Sequence, residues 1–330
     1  MPTTPVNTRI NIQEVAAEFG QYIETNMKDV FTQILYKTNI ERFMRTIPNV
    51  RGIFKMTTSH FEEITQPFQK NWTPKGGVAF KPEEIQMRRM KIDFPWNVDD
   101  LFDSWLAWMY DQEGKDRKDL TISRFILSEV LRKAQEERSL IAVNGVYAEP
   151  TIGTAGDALD SADGILKILN DFEANTKSNL IETVSFDTNP FDAMLGFIRG
   201  MKPESIRRCQ NRVFADVSLI YDIVDDYEAN NQNKSIELSD NDGIISIKIP
   251  KTPVTVVGIE EMNSKRVFAT PQNNFLRLID QVQDIGKFDV ESEKRNLNLL
   301  VDYSAAWGFG SGNFVWSNVL GTSSGEGEGE

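Results

Sequence analysis

The spacing of apolar residues along this chain changes period several times, and each change predicts a different element. From Asn11 onward, Ile12, Val15, Phe19, Ile23, Val30 and Ile34 recur at three-to-four-residue intervals, with Met27 filling the gap, which is helical spacing. Asn11, followed by Glu14 three residues later, supplies a variant of the capping box. A helix, or a broken pair, is expected to end before Pro48. From Gly52 to Asn97 the period falls to two. Residues 53–61 and 85–94 alternate, the latter setting Met90, Ile92 and Phe94 against Lys91 and Asp93. Between them, residues 69–77 are dense in turn formers. Together these runs predict a long two-stranded hairpin. It carries charge on both faces (Glu62, Glu63, Lys81, Glu83, Glu84, Arg88, Arg89) and cannot be buried on both sides. A two-stranded ribbon by itself is marginal in water, so something is expected to lie against it, a neighbouring subunit being the natural candidate.

A mixed helical stretch follows, in which Trp105 and Trp108 share a helix face suited to a core or subunit contact. The clearest helix begins near Asp119 or Thr121 and carries Ile122, Phe125, Ile126, Val130, Ala134 and Ile141 on one stripe. It runs to Asn144-Gly145, where Gly145 is expected to supply a left-handed C-terminal cap. At 1.5 Å per residue its length is roughly 35 Å, enough to brace a whole domain. After a loop at 151–157, helices are expected over 161–175, 189–201 and 217–227, with a strand at 212–215 before the last. Strands then dominate, over 244–249, 254–257, 267–270, 288–292, 297–303 and 314–316. Residues 321–330, rich in glycine and glutamate with little to bury, predict a disordered acidic tail.

Composition narrows the chemistry more than the fold. Of 330 residues, 40% are hydrophobic and 26% charged, which is ordinary for a folded protein. There is one histidine, His60, and one cysteine, Cys209. No internal disulfide can form, and a zinc site of thiolates and imidazoles lacks its ligands. Any Ser-His-Asp triad would need His60, which sits in the first alternating run and reads as a partly exposed strand residue. The formal charge of −13, without a basic cluster, speaks against tight DNA binding. An acidic surface also keeps a concentrated protein soluble. No basic and apolar leader opens the chain, and no apolar stretch approaches the length of a membrane span.

The remaining candidate sites fail on spacing. Asp240-Asn241-Asp242-Gly243 looks like a calcium loop, but with Gly243 in the sixth position the first ligand would be Leu238. A β-turn ahead of an alternating strand fits better. The doublets Asp225-Asp226 and Glu260-Glu261 are adjacent, so their side chains do not face each other as an acid–base pair. Gly308, Gly310 and Gly312 lack the lysine of a phosphate loop and lie between two strands, which suits a hairpin or edge turn. No catalytic, cofactor-binding or metal-ligating residue is assigned.

The order of elements resembles the major capsid proteins of tailed double-stranded DNA bacteriophages, which have the Hong Kong 97-like fold. Two stretches carry the likeness locally. One is the long helix closing on Ile141-Ala142-Val143-Asn144-Gly145. The other is Thr252-Pro253-Val254-Thr255-Val256-Val257 followed by Arg266-Val267-Phe268-Ala269-Thr270-Pro271-Gln272-Asn273-Asn274-Phe275, similar to the place where such proteins leave a sheet strand for a turn. The closing strands through Leu299-Leu300-Val301-Asp302-Tyr303 and Phe314-Val315-Trp316 come in the matching order.

The resemblance implies an α+β fold with a helical N-terminal arm (1–47) and an extended β-hairpin or E-loop (48–98). It implies a peripheral domain (99–150 and 251–320) with a spine helix at 120–144, an α/β axial domain (151–250) and the disordered tail (321–330). The implied function is structural and not enzymatic, without a cofactor. The subunit would self-assemble into hexamers and pentamers of an icosahedral shell that encloses phage DNA without gripping it. Its place would be the virion capsid, assembled in the bacterial host cytoplasm, with no membrane involved. An encapsulin-like nanocompartment shell enclosing a cargo enzyme is the alternative. A scaffolding protein, a portal and decoration proteins are the implied partners. The N-terminal arm is short for a cleavable scaffolding segment, which leaves a separate scaffold or the arm acting alone. In such folds the hairpin lies over a neighbour, which makes Lys70, Trp72, Pro74, Lys75, Gly76 and Gly77 the expected inter-subunit contacts. Some relatives join subunits by a Lys–Asn isopeptide bond assisted by a glutamate. Lys70, Lys75, Asn296, Asn298 and Glu293 are compatible in type, but Lys and Asn are common at turns, and no cross-link is assigned.

Overall fold

The computed structural model describes residues 21, 37–61, 63–97, 108, 122–231, 234–280, 288–293 and 296–320. The expected N-terminal helix, the stretch around Trp105, the start of the long helix at 119–121 and the acidic tail lie outside these, apart from Gln21 and Trp108, both helical.

Two sheets organise the chain. The first is built around β13 (Asn296–Phe309), 14 residues long. Leu297, Leu299, Val301, Tyr303, Ala305, Trp307 and Phe309 are all buried, so one face of this strand is apolar at period two from end to end. β4 (Arg88–Asn97) runs antiparallel along one edge of it, from Asn97 opposite Asn296 to Arg88 opposite Ala305. The other edge is shared, with β12 (Phe288–Glu293) on positions 296–301 and β11 (Phe275–Ile279) on positions 305–309. β1 (Arg45–Pro48) adds in parallel to β11. Residues 45–47, expected to be helical, are therefore extended, because β11 supplies a partner that local spacing does not reveal.

β2 (Ile53–Phe61) and β3 (Val78–Gln86) form a separate antiparallel ribbon, from Ile53 opposite Gln86 to Phe61 opposite Val78. The hairpin differs from the expected one in its second strand. The alternating run at 85–94 is divided at Met87, with the ribbon on one side and the β13 sheet on the other. The alternation slips phase across the break, from Ile85 and Met87 to Met90, Ile92 and Phe94 with Arg88-Arg89 between them, a signal that the reading as one strand passed over. Met87 donates its N–H to the Gly52 carbonyl at 2.8 Å and closes the ribbon's base.

The second sheet has seven strands. In spatial order they are β5 (Asn179–Ile181), β14 (Trp316–Asn318), β10 (Phe268–Ala269), β6 (Arg212–Asp216), β9 (Thr255–Ile259), β8 (Ile244–Lys248) and β7 (Leu238–Asn241). The main helices are α1 (Ile122–Asn144), α2 (Ile165–Ala174), α3 (Pro190–Gly200), α4 (Pro203–Arg208) and α5 (Val217–Asn230). Phe197 and Ile198 of α3 and Leu219, Ile220 and Ile223 of α5 share one core with Val213, Val256 and Val267 of the sheet region. β8 and β9 are hydrogen-bonded neighbours, so this sheet and its core run across position 250, where a domain boundary was expected. Asp242 (φ 57°) and Gly243 (φ 75°) make the two-residue turn between β7 and β8. Two positive φ values in such a loop are the type I′ hairpin turn, and the β-turn expectation holds.

Phenylalanines weld the two sheets together. Phe214 stacks on Phe268 at 5.0 Å and Phe275 on Phe309 at 5.3 Å, while Phe268 meets Phe275 edge-on at 5.8 Å. α1 lies over this junction with Ile126, Leu127, Leu131, Ala134 and Ile141 buried, and Phe125 packs on Trp108 at 5.5 Å. α1 ends at Asn144 as its spacing predicts, but Gly145 is not left-handed. Among the described residues, the glycines with positive φ are Gly52, Gly76, Gly153 and Gly243. Gly145 is a glycine for steric reasons instead, because an added Cβ would lie 2.2 Å from the Ala162 carbonyl oxygen.

Candidate subunit-contact site

The ribbon is fixed at its base and free at its tip. Around the base, Val50, Ile85 and Met87 are buried against Leu276, Leu278 and Ala306, with Phe54 and Met56 packed alongside. Two glycines of the Gly308–Gly312 run make room for this. A Cβ on Gly308 would come within 3.0 Å of Ile85, and one on Gly310 within 2.3 Å of the Met56 sulfur. These glycines admit the ribbon's root, not a phosphate. Ion pairs Lys55–Glu84 (2.6 Å) and Lys177–Glu83 (3.2 Å) flank the same region. Nine residues per strand carry the tip roughly 30 Å outward.

Every residue from 63 to 77 is exposed. The loop is nevertheless organised. Gln66 Nε2 donates to the Thr73 carbonyl at 2.7 Å and its hydroxyl at 3.1 Å. Lys75 Nζ donates to the Thr65 carbonyl at 2.9 Å and pairs with Glu63 at 2.9 Å. These bonds close the loop and leave Phe68 92% and Trp72 90% exposed. All six expected contact residues thus sit in one loop. Their roles differ: Lys75 is engaged within the loop, and Gly76 (φ +92°) supports its turn with Ile64 beside it. Trp72 and Lys70 face outward, with Phe68 an unforeseen companion.

Among the described residues, the other polar candidates serve the fold. Asp226 accepts the Phe191 N–H at 3.0 Å and an Asn230 amide at 2.8 Å, so it caps α3. Glu261 accepts the Ser139 hydroxyl, and its carbonyl accepts the Asn144 amide. Cys209 is buried, which pushes its thiol up to about 12 and leaves it unreactive. His60 lies in β2, as expected. No cluster of metal-ligating side chains occurs, and no helix is long and apolar enough to cross a membrane, among the described residues. A cavity of about 430 Å³ is lined by apolar side chains of α3, α4 and α5 with Arg199, Lys234 and Lys251. Without a carboxylate, histidine or cysteine among its described lining residues, it holds no acid–base pair.

Polar groups that sequence reasoning missed are buried and structural. Glu41 is fully buried and receives Arg138 at 2.8 Å, Arg277 at 3.2 Å and the Trp307 indole N–H at 2.7 Å. Two signals were present. Arg138 falls on the apolar stripe of α1, four residues after Ala134 and three before Ile141, and Arg277 interrupts the apolar run Phe275-Leu276-Arg277-Leu278-Ile279. Burial depresses Arg277 to about 10, an effect Glu41 opposes and Arg138 reinforces. Asn274 donates to the Ser311 carbonyl at 3.0 Å and accepts the Ser311 N–H at 2.8 Å, so its amide acts as a strand partner tying two turns together.

Tyr303 supplies a pH test of this core. Burial pushes its hydroxyl up to about 12 from 10.0. The unfolded chain releases that proton first, so the stability involved is intact below about pH 10 and lost as the pH approaches about 12. Tyr303→Phe is expected to lose less stability than wild type across that window, and to match it near neutrality. Urea midpoints at about pH 8 and pH 11 check this, and parallel curves would refute it.

No protein-family model and no curated protein sequence matches the chain. Solved structures do. A chain of the satellite phage P4 procapsid, solved with its size-determination protein, superposes with a TM-score of 0.56 at 12% identity, covering 93% of this chain and 97% of that one. The capsid of an empty GTA particle gives a TM-score of 0.53 at 9% identity, covering 84% and 88%. The native GTA particle gives 0.50 at 10%, again covering 84% and 88%. Identities this low speak to architecture alone, and on that ground the chain has the Hong Kong 97-like fold of phage capsid proteins.

Proposed function

We propose that this chain is the major shell subunit of a tailed-phage capsid, a structural protein and not an enzyme. The observation that carries the reading is the ribbon: on a capsid fold, a braced two-stranded arm ends in a loop whose aromatic residues have nothing to cover them among the described residues. Subunits close into hexamers and pentamers through heterologous contacts. The arm adds buried area on a neighbour without enlarging the subunit's core, and many weak contacts act together. In this reading β2 and β3 are the E-loop, α1 is the spine of the peripheral domain, and the sheet with α3 and α5 forms the axial domain. Lys70, Trp72, Pro74, Gly76 and Gly77 make or shape the contact. The net charge of −13 suits a wall that lets packaged DNA slide. A scaffold, a portal and decoration proteins are partners, and the shell belongs to the virion, assembled in the host cytoplasm.

Deleting residues 69–77 tests the reading. The variant is expected to keep the wild-type circular dichroism spectrum and to form no stable shells by negative-stain microscopy. Wild-type-like particles from the deletion would overturn the arm's role. The contents of wild-type particles, DNA or a cargo protein, separate a virion from a nanocompartment.

A further inference from the structure

The proposed function leaves open which surface of the neighbour receives the ribbon tip. The tip has a definite character: between Ile64 and Gly77 it carries two lysines and no carboxylate. Lys75 is paired within the loop, whereas Lys70 makes no ion pair among the described residues. With Phe68 and Trp72 open to solvent, the tip presents two large aromatics and one cation. Each aromatic removes about 150–250 Å² from water when covered. Its receiving surface must be apolar and acidic.

The surface just after α1 has both properties, with Arg88 of β4 held on its inner side against the Tyr147 ring at 3.4 Å. The segment after α1, from Val146 to Leu166, contains Glu149, Asp157, Asp160 and Asp163 and neither lysine nor arginine. Residues 148–160 are exposed without interruption. The segment is nonetheless built, because Val146 N–H bonds the Leu159 carbonyl at 2.9 Å and Ala148 N–H the Asp160 carbonyl at 3.1 Å. Ile152 is 99% exposed at the turn, and Val146 and Leu159 are 48% and 42% exposed. Glu149, Asp157 and Asp160 make no ion pair among the described residues. Tyr221, exposed beside carboxylates elsewhere, is a weaker candidate because Asp222 already pairs with Lys265 at 2.7 Å.

We propose that this acidic shelf at 146–160 of a second copy receives the ribbon tip, with Trp72 and Phe68 against Val146, Ile152 and Leu159, and Lys70 among Glu149, Asp157 and Asp160. The inference rests on the shell reading and names the partner surface for its arm. Opposite charge sets the register of approach while the aromatics supply the affinity.

Cross-linking tests it on assembled particles. Trp72→Cys and Ile152→Cys are placed in one chain and treated with a short bis-maleimide. Both sites are exposed, and native Cys209 is buried with its thiol pushed up to about 12, so background labelling is low. The double variant is expected to give a ladder of covalent multimers, and each single variant dimers at most. A second arm reverses charge. Lys70→Glu should cut particle yield at least tenfold, and adding Asp157→Lys with Asp160→Lys should restore it. Particles that form normally but give no ladder, or a reversal without rescue, overturn the contact and leave the shell reading standing. If the wild-type chain forms no particles, both fall together.

Discussion

Glu41→Ala is expected to destabilise the folded chain by about 3–5 kcal/mol, the cost of removing one partner from a buried ion pair. Glu41 is fully buried between Arg138 of α1 and Arg277 of β11, and both guanidinium groups are themselves buried. Its other contacts are the Trp307 indole and the Thr38 backbone N–H at 3.0 Å. Removing the carboxylate leaves two cations facing each other in a low-dielectric core and an indole N–H without its acceptor. Glu41→Gln separates the two effects. It retains an oxygen for Trp307 but no charge, so its loss should fall between zero and that of the alanine variant. The loss is measured from urea unfolding midpoints of unassembled chain. An alanine variant within 1 kcal/mol of wild type would refute the account. Glu41 lies in the short helical turn Ile40–Phe43, where that turn meets α1 and the β13 sheet. The Arg42–Asp242 pair at 2.6 Å adds a second, exposed tie to the β7–β8 turn, which is worth far less.

The second large effect is expected at Gly145→Ala. The end of α1 crosses the start of α2 with backbone against backbone: Gly164 N–H bonds the Gly145 carbonyl at 2.8 Å. An alanine Cβ at 145 would sit 2.2 Å from the Ala162 oxygen and 2.7 Å from the Ile141 oxygen. Neither obstacle is a flexible side chain, so the strands of chain must separate. The cost should lie at the upper end of overpacking, about 3 kcal/mol. Gly164→Ala should behave alike, since its Cβ would lie 2.7 Å from the Gly145 nitrogen. Gly156→Ala is the control. It has nothing within 4 Å of the added atom and should be neutral or slightly stabilising. Equal midpoints for Gly145→Ala and Gly156→Ala would show that the crossing yields more easily than its geometry implies.

Much of this was legible before any coordinates. The stripe of α1, the alternation of β2 and the Asp242-Gly243 turn all follow from local period and turn chemistry. What was misread shares a cause. The run at 85–94 was read as one strand although its phase slips at Arg88-Arg89, and it serves two sheets, because the partner of Arg88–Asn97 lies about 200 residues later in β13. Residues 45–47 are extended because of β11, and Gly145 is constrained by Ala162 rather than by its own φ. Each error lies where a distant segment overrides a local preference.

The sequence by itself determined most of the element types, the single histidine and cysteine, and the acidic balance. These depend on period, composition and turn chemistry, which act over a few residues. The tertiary structure alone decided which strands pair and where the ribbon ends. It also placed Arg138, Arg277 and Glu41 in one buried cluster and kept Lys75 inside its loop while Phe68 and Trp72 stayed exposed. Those outcomes depend on which surfaces meet across long stretches of chain, and burial and hydrogen-bond satisfaction arbitrate between them only once the chain has folded.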